Sequence, residues 1–201
     1  MKRILILEAC GNSGETAECK GIATQAELYG IEVISKCVKD NNDLISTLEL
    51  NGSFDYMYLS SHGNLDGFGN ESGSVDMKWS DFAVNLCTYG CMEDDCILML
   101  SCCRGGLNSV AATFFSTCDQ VAYVVGPRQS LTSASMHISF GIFLYNVELR
   151  ALDPIVACEK IKLATDMRFT CYDKEEWFSQ IILNIKTEEF IQNVKDASQS
   201  N

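Results

Sequence analysis

Two adjacent cysteines, Cys102 and Cys103, lie between an apolar run of strand length, Ile97–Leu100, and a Gly105-Gly106 pair. Helical spacing of apolar residues follows, so the stretch predicts a strand, a tight turn and a helix. Such a turn places a side chain near a helix N-terminus, where unpaired N–H groups favour a thiolate over a thiol. Either cysteine therefore has a suitable position for a nucleophile. Equally, both are compatible with small buried core residues.

A cysteine nucleophile needs a partner that takes and returns a proton near neutral pH, and histidine suits that role. The chain has only two histidines. His62 follows the predicted strand Phe54–Ser60 and precedes Gly63, which has no side chain to obstruct a substrate carbonyl. His137 lies inside a predicted helix, Ser130–Arg150, where a packing or surface role is expected. His62 is therefore the candidate base.

The segments Ser61-His62-Gly63 and Ser101-Cys102-Cys103-Arg104-Gly105 together resemble the caspase-like cysteine peptidases, which include caspases, metacaspases and CHAT-domain proteases. The likeness runs from the first strand to about Thr165 and is nearest to the small bacterial members. Caspases place the nucleophile directly before Arg-Gly, so the resemblance assigns it to Cys103. It assigns the catalytic histidine to His62, at an interval close to the family's usual roughly 50 residues.

The resemblance also implies an oxyanion site at the backbone N–H of Gly63 and a substrate pocket lined by Ser101, Ser61 and Glu8. Ser101 stands where caspases have glutamine and metacaspases have aspartate, so their specificity does not carry over. Glu8 ends the first predicted strand, in a region from which the family lines this pocket. Its charge suggests a basic residue before the cut.

Strand-like and helix-like segments alternate along the chain, which predicts an α/β fold with a mostly parallel sheet and helices on both faces. The resemblance implies the caspase-like three-layer sandwich. Functional groups of such folds gather at the carboxyl ends of the strands, where His62 and Cys103 are expected. Residues 1–195 are predicted to form one domain, and residues 196–201 a frayed tail.

Composition limits the classes of partner. The 201 residues carry a net charge of −12, which argues against binding nucleic acid or an anionic membrane. Eleven cysteines in a chain of this length favour a reducing, cytoplasmic location, and the N-terminal apolar run is too short for a signal peptide. The spacing of Cys87, Cys91 and Cys96 does not match common zinc motifs. We therefore expect no metal and no cofactor.

The function expected from the resemblance is a cysteine endopeptidase with a protein or peptide substrate. A small-molecule or protein activator, and an effector role in bacterial defence or cell death, are also expected of such a chain. The alternative is a module of the same fold that senses a ligand or binds a partner, with latent or absent peptidase activity.

Overall fold

The computed structural model describes residues 1–50, 52–183 and 188. Its strands are β1 (Arg3–Glu8), β2 (Glu32–Cys37), β3 (Phe54–Ser60), β4 (His62–Gly63), β5 (Gly67–Gly69), β6 (Asp76–Lys78), β7 (Met92–Ser101), β8 (Val121–Pro127) and β9 (Phe169–Asp173). Its helices are α1 (Ser13–Leu28), α2 (Asn41–Leu50), α3 (Trp79–Tyr89), α4 (Asn108–Thr117), α5 (Ser133–Leu144) and α6 (Pro154–Thr165).

Six strands form the central sheet in the order β2-β1-β3-β7-β8-β9. The first five pair in parallel, while β9 pairs antiparallel with β8. The predicted α/β fold with a mostly parallel sheet is confirmed. Strand β9 was not predicted, because its polar and aromatic residues are mixed and all are half-buried.

Helices cover both faces of the sheet. Alternate residues of a strand point to opposite faces, so the apolar side chains of each strand contribute to two separate cores. In β1, Leu5 and Leu7 pack into a core with helices α2, α3 and α4. Ile4 and Ile6 pack into a second core with α1, α5 and α6. All four side chains are fully buried, as the uninterrupted apolar run of β1 requires.

A small antiparallel sheet, β4-β5-β6, projects from the carboxyl end of β3. This unit lies within residues 62–78 and follows a central strand of the main sheet. Phe68 of β5 anchors it by packing against Trp79 and Phe82 of α3, with ring centroids 5.3 and 5.0 Å away. The aromatic contacts hold the strand that bears His62 against the main body.

Several boundaries differ from the sequence-based expectation. The first helix begins at Ser13, and the side chain of Asn12 caps it by accepting from the N–H groups of Gly14 and Glu15. The helix expected over Ser130–Arg150 is shorter and ends in a π-helical turn, Tyr145–Leu149. Residues 174–183 are helical. The expected tail, 196–201, lies outside the described residues.

Within the described part of the chain, every helix is too short or too polar to cross a bilayer.

Candidate active site

The two predicted motifs leave the same edge of the sheet side by side. Strand β3 ends at Ser60 and its neighbour β7 ends at Ser101, and these two residues are paired in register. One step further, the Ser61 N–H donates a hydrogen bond to the Ser101 carbonyl at 3.3 Å. His62 and Cys103 therefore emerge from adjacent strand ends, as the topology of a parallel sheet predicts.

The two cysteines have different environments. Cys102 is fully buried and its Sγ donates a weak hydrogen bond to the Leu59 carbonyl at 3.6 Å. Burial raises the pKa of the Cys102 thiol well above its usual value, which keeps it protonated. Cys103 is only partly buried and lines a cavity. Of the two, only Cys103 is accessible to a substrate.

Gly63 lies directly against the backbone of the two cysteines. A Cβ atom added to Gly63 would be 2.5 Å from the Cys103 carbonyl oxygen and 2.8 Å from the Cys102 Cβ. No side chain fits at that distance, so glycine is required for the His62 strand to approach the cysteine turn. Residue Arg104, next in that turn, has a positive φ of 67°, a strained conformation for a residue with a side chain.

A cavity of about 260 Å³ opens between the strand ends, helix α1 and the start of α5. Its lining is mainly polar and consists of Asn12, Glu15, Glu18, Ser61, His62, Ser101, Cys103, Leu131, Thr132, Ser133 and Met136. The cavity thus brings together four of the six residues predicted from the sequence. It also contains two glutamates that the sequence analysis did not select.

The imidazole of His62 is half-exposed. Its Nε2 lies 3.7 Å from a carboxylate oxygen of Glu71, an exposed residue in the turn between β5 and β6. No hydrogen bond joins His62 to Cys103 among the described residues. His62 therefore lines the same cavity as Cys103, while its ring is in contact with Glu71.

Glu18 lies at the base of the cavity and is 3% exposed. Its Oε1 accepts hydrogen bonds from the hydroxyls of Tyr58, Ser60 and Ser101 at 2.6, 3.1 and 2.5 Å. Burial raises the pKa of Glu18 to about 7, although the three donors oppose that shift. The side chain is therefore oriented by three strand residues and titrates near neutral pH.

Glu15, one turn before Glu18 on α1, is 8% exposed, and its Oε2 is buried without a hydrogen-bond partner in the described structure. Its carboxylate faces the Cys10 thiol and the His62 ring. One ligand atom each from Cys10, Glu15 and His62 lies within 4.8 Å of the other two. Sulfur, oxygen and nitrogen donors in this arrangement are compatible with a zinc ion that keeps one open position.

Ser61, Glu8 and His137, the other residues considered from the sequence, lie in three different environments. The hydroxyl of Ser61 donates a hydrogen bond to the Gly69 carbonyl at 2.8 Å and so links the residue before β4 to β5. The donor of this hydroxyl is therefore already used within the protein. Glu8 is half-buried at the end of β1 and accepts a hydrogen bond from the Thr16 hydroxyl. Glu8 is not among the residues that line the cavity. His137 is exposed on α5 and its ring lies against Gly21 of α1, away from the cysteines.

The acidic residues of the cavity are those that the sequence analysis missed. Glu15 and Glu18 fall on the same helical stripe as the buried residues Cys19, Ile22 and Ala26. A carboxylate on the apolar stripe of an amphipathic helix is unusual, because burial of a charge is unfavourable unless the charge is paired. The position of Glu15 and Glu18 on this stripe could therefore have marked them as candidate site residues from the sequence.

Comparison with protein-family models and with curated proteins found no match to this chain. The likeness to caspase-like peptidases therefore stays a prediction based on the two motifs and on where the fold places them.

Proposed function

We propose that this chain is a caspase-like cysteine endopeptidase in which Cys103 is the nucleophile and His62 the general acid and base. The observation that carries the proposal is the meeting of an accessible Cys103 and of His62 in one cavity at the carboxyl edge of a parallel sheet. The strained turn at Arg104 adds support, because such conformations cluster at functional sites.

The reaction proposed is acyl transfer to sulfur followed by hydrolysis. His62 takes the thiol proton, and the Cys103 sulfur attacks the scissile carbonyl carbon, forming a C–S bond. The backbone N–H groups of Gly63 and Cys103 stabilise the oxyanion. As the C–N bond breaks, His62 returns the proton to the leaving amine. His62 then takes a proton from water, whose oxygen attacks the thioester; the carboxylic acid product leaves and the thiol recovers its proton.

A pair of matched variants tests the assignment of the nucleophile. We expect Cys103→Ala to abolish cleavage of a peptide library and Cys102→Ala to retain it, because the Cys102 thiol is buried and held protonated. Cys102→Ala is the control for loss of one sulfur atom from the same turn, and thermal melting checks that both variants fold. Cleavage that survives in Cys103→Ala and disappears in Cys102→Ala would contradict the proposal.

Thiol labelling gives an independent readout. Cys37 and Cys87 are exposed and will react with iodoacetamide regardless of function, so the experiment uses the Cys37→Ser, Cys87→Ser background. In that background we expect fast labelling at Cys103 that slows when His62 is replaced by alanine, since the imidazole helps to form the thiolate. Mass spectrometry of tryptic fragments identifies the labelled residue.

A second candidate function is a ligand-binding module of the same fold. The contact of the His62 ring with Glu71 rather than with Cys103 favours it, because a pair that is not hydrogen-bonded is not yet arranged for catalysis. Under the peptidase proposal, a protein or small-molecule activator aligns the pair, as befits a regulated effector. Selective labelling of Cys103 supports the peptidase, and its absence with and without candidate activators supports the module.

A further inference from the structure

Three side chains of types that bind metal ions meet beside the cavity: Cys10, Glu15 and His62. Cys10 follows β1 by two residues, Glu15 lies in the first turn of α1 and His62 begins β4. One donor atom from each residue lies within 4.8 Å of the other two, and no other three histidines, cysteines or acids among the described residues are so close together. Segments distant in the chain therefore bring a sulfur, an oxygen and a nitrogen to one place.

Glu15 has a carboxylate oxygen that the protein leaves without a partner. The residue is 8% exposed, and its Oε2 is buried with no hydrogen-bond donor among the described residues. None of the ion pairs in the described part of the chain includes Glu15. Burial of a carboxylate is unfavourable unless the charge is paired. The unpaired oxygen therefore favours a cation at this position.

The sulfur of Cys10 is buried and oriented by a neighbouring side chain. It accepts a weak hydrogen bond from the side-chain amide of Asn12 at 3.8 Å. The orientation of that amide is fixed, because its oxygen accepts hydrogen bonds from the N–H groups of Gly14 and Glu15 at the start of α1. Outer contacts of this kind hold metal ligands in place. The helix cap thus also positions the Cys10 sulfur.

The donor types select the class of ion. Cysteine sulfur, histidine nitrogen and carboxylate oxygen are the protein ligands of zinc, whereas calcium and magnesium take oxygen ligands. A thiolate and a carboxylate together carry two negative charges, which balance those of Zn²⁺, and a neutral imidazole adds none. The cluster therefore fits zinc in donor chemistry and in charge.

The spacing of the donors and the access to them also fit a zinc ion. Donors on a tetrahedral zinc ion lie roughly 3.5 Å apart, since its bonds are about 2.0 to 2.3 Å long. The three donors therefore need to approach one another by about 1.3 Å at most. Glu15 and His62 line the cavity, and the His62 ring is half-exposed, so an ion can enter from solvent.

We propose that Cys10, Glu15 and His62 bind a zinc ion whose fourth position is open to water or to an added ligand. This site goes beyond the endopeptidase function proposed above, because Cys10 and Glu15 take no part in the acyl-transfer steps. His62 belongs to both sites. A ring nitrogen that binds zinc cannot take the thiol proton at the same time, so zinc binding and proton transfer by that nitrogen exclude each other.

The test is a zinc titration of the reduced, metal-free protein in competition with a chromophoric chelator. It uses the Cys37→Ser, Cys87→Ser background, because exposed thiols can bind zinc independently of the proposed site. We expect this background protein to bind one zinc ion per chain.

Two variants each remove one proposed ligand. We expect Cys10→Ala and Glu15→Gln to raise the dissociation constant for zinc at least about 100-fold, because loss of an outer contact to a ligand already costs 10- to 100-fold. Cys19→Ala removes a buried sulfur of α1, and Glu18→Gln removes a buried acid of the same cavity. These matched controls should bind zinc as the background protein does. Thermal melting of each metal-free variant checks that it folds.

Cobalt gives a second readout that identifies the sulfur. Co²⁺ occupies zinc sites, and a bound thiolate adds charge-transfer absorption in the near ultraviolet. We expect this absorption in the background protein and in its Cys103→Ala variant. It should be absent from the Cys10→Ala variant.

The outcomes decide between this site and its alternatives. Absence of zinc binding in the background protein overturns the proposal, and so does binding that persists unchanged in Cys10→Ala and Glu15→Gln. Zinc binding and cobalt absorption that disappear in Cys103→Ala and remain in Cys10→Ala also overturn it, because Cys103 would then be the sulfur ligand. No measurement here uses a peptide substrate. The zinc site can therefore fail while the peptidase proposal stands, and the reverse also holds.

Discussion

Burial separates residues that the sequence presents as equivalent. Cys102 and Cys103 are chemically identical neighbours, yet one is fully enclosed and the other opens to a cavity. Glu8 and Glu18 are both acids near the first strand. The hydroxyl of Thr16 hydrogen-bonds Glu8, whereas Glu18 is oriented by three hydroxyls into the cavity. The chemical role of each residue therefore follows from its surroundings.

The titration of Glu18 gives a prediction about stability. Its pKa is raised from an ordinary 4.5 to about 7 in the folded chain, so the folded state binds more protons than the unfolded state between these values. The contribution of Glu18 to the free energy of unfolding is therefore largest below pH 4.5 and falls as the pH rises to 7, by on the order of 3 kcal/mol.

We expect Glu18→Gln to be more stable than the parent at pH 8 and to lose this part of the pH dependence, because glutamine cannot ionise. Urea unfolding at pH 5, 6, 7 and 8 measures the difference. Glu27→Gln, which removes an exposed acid, is the control and should follow the parent. Parallel pH profiles for the parent and Glu18→Gln would show that Glu18 titrates normally.

Two short elements set the geometry of the site: the small sheet β4-β5-β6 and the turn that follows β7. The first carries His62 and Gly63, and the second carries Cys103. They touch where Gly63 meets the Cys103 carbonyl, so the spacing between His62 and Cys103 depends on a position without a side chain. The aromatic contacts of Phe68 hold the small sheet in place from its other side.

Replacement of that glycine tests the contact. We expect Gly63→Ala to lower the free energy of unfolding by about 1 to 3 kcal/mol and to abolish cleavage, because its methyl group overlaps backbone atoms that cannot move independently. Gly21→Ala is the matched control. The atoms nearest to its methyl group belong to the exposed ring of His137, which can rotate away, and alanine favours the helix by about 0.5 to 1 kcal/mol.

Thermal unfolding and peptide cleavage of both variants provide the measurement. Equal stability and activity in Gly63→Ala and the parent would mean that the two elements are further apart than the structure shows.

The whole molecule carries a net charge of −12, and the acidic cavity is part of that field. A cationic peptide is therefore attracted to the molecule from a distance. The central sheet, covered by helices on both faces, leaves its carboxyl edge as the place where polar side chains from β3 and β7 meet. The net charge of the molecule therefore favours the approach of positively charged groups to that edge.

Salt dependence tests the electrostatic attraction. Raising the ionic strength from about 0.01 to 0.15 M shortens the Debye length from about 30 to 8 Å. Under the proposed peptidase function, we expect kcat/KM for a peptide substrate with a net positive charge to fall about tenfold over this range, because long-range attraction is screened. For a peptide substrate of the same length without net charge, kcat/KM should change little. An equal loss for both peptides would indicate a general effect of salt on the protein and would contradict the electrostatic attraction.

The amino-acid sequence by itself determined the alternation of strands and helices, the parallel sheet and the two motifs at strand ends, because these depend on local periodicity and on residue type. Contacts between residues far apart in the chain could not be predicted in this way. Only the tertiary structure decided that Cys102 is enclosed, that Gly63 meets the cysteine backbone and that α1 directs Glu15 and Glu18 to Cys103. Burial and proximity arise from packing between distant segments, and no local pattern specifies them.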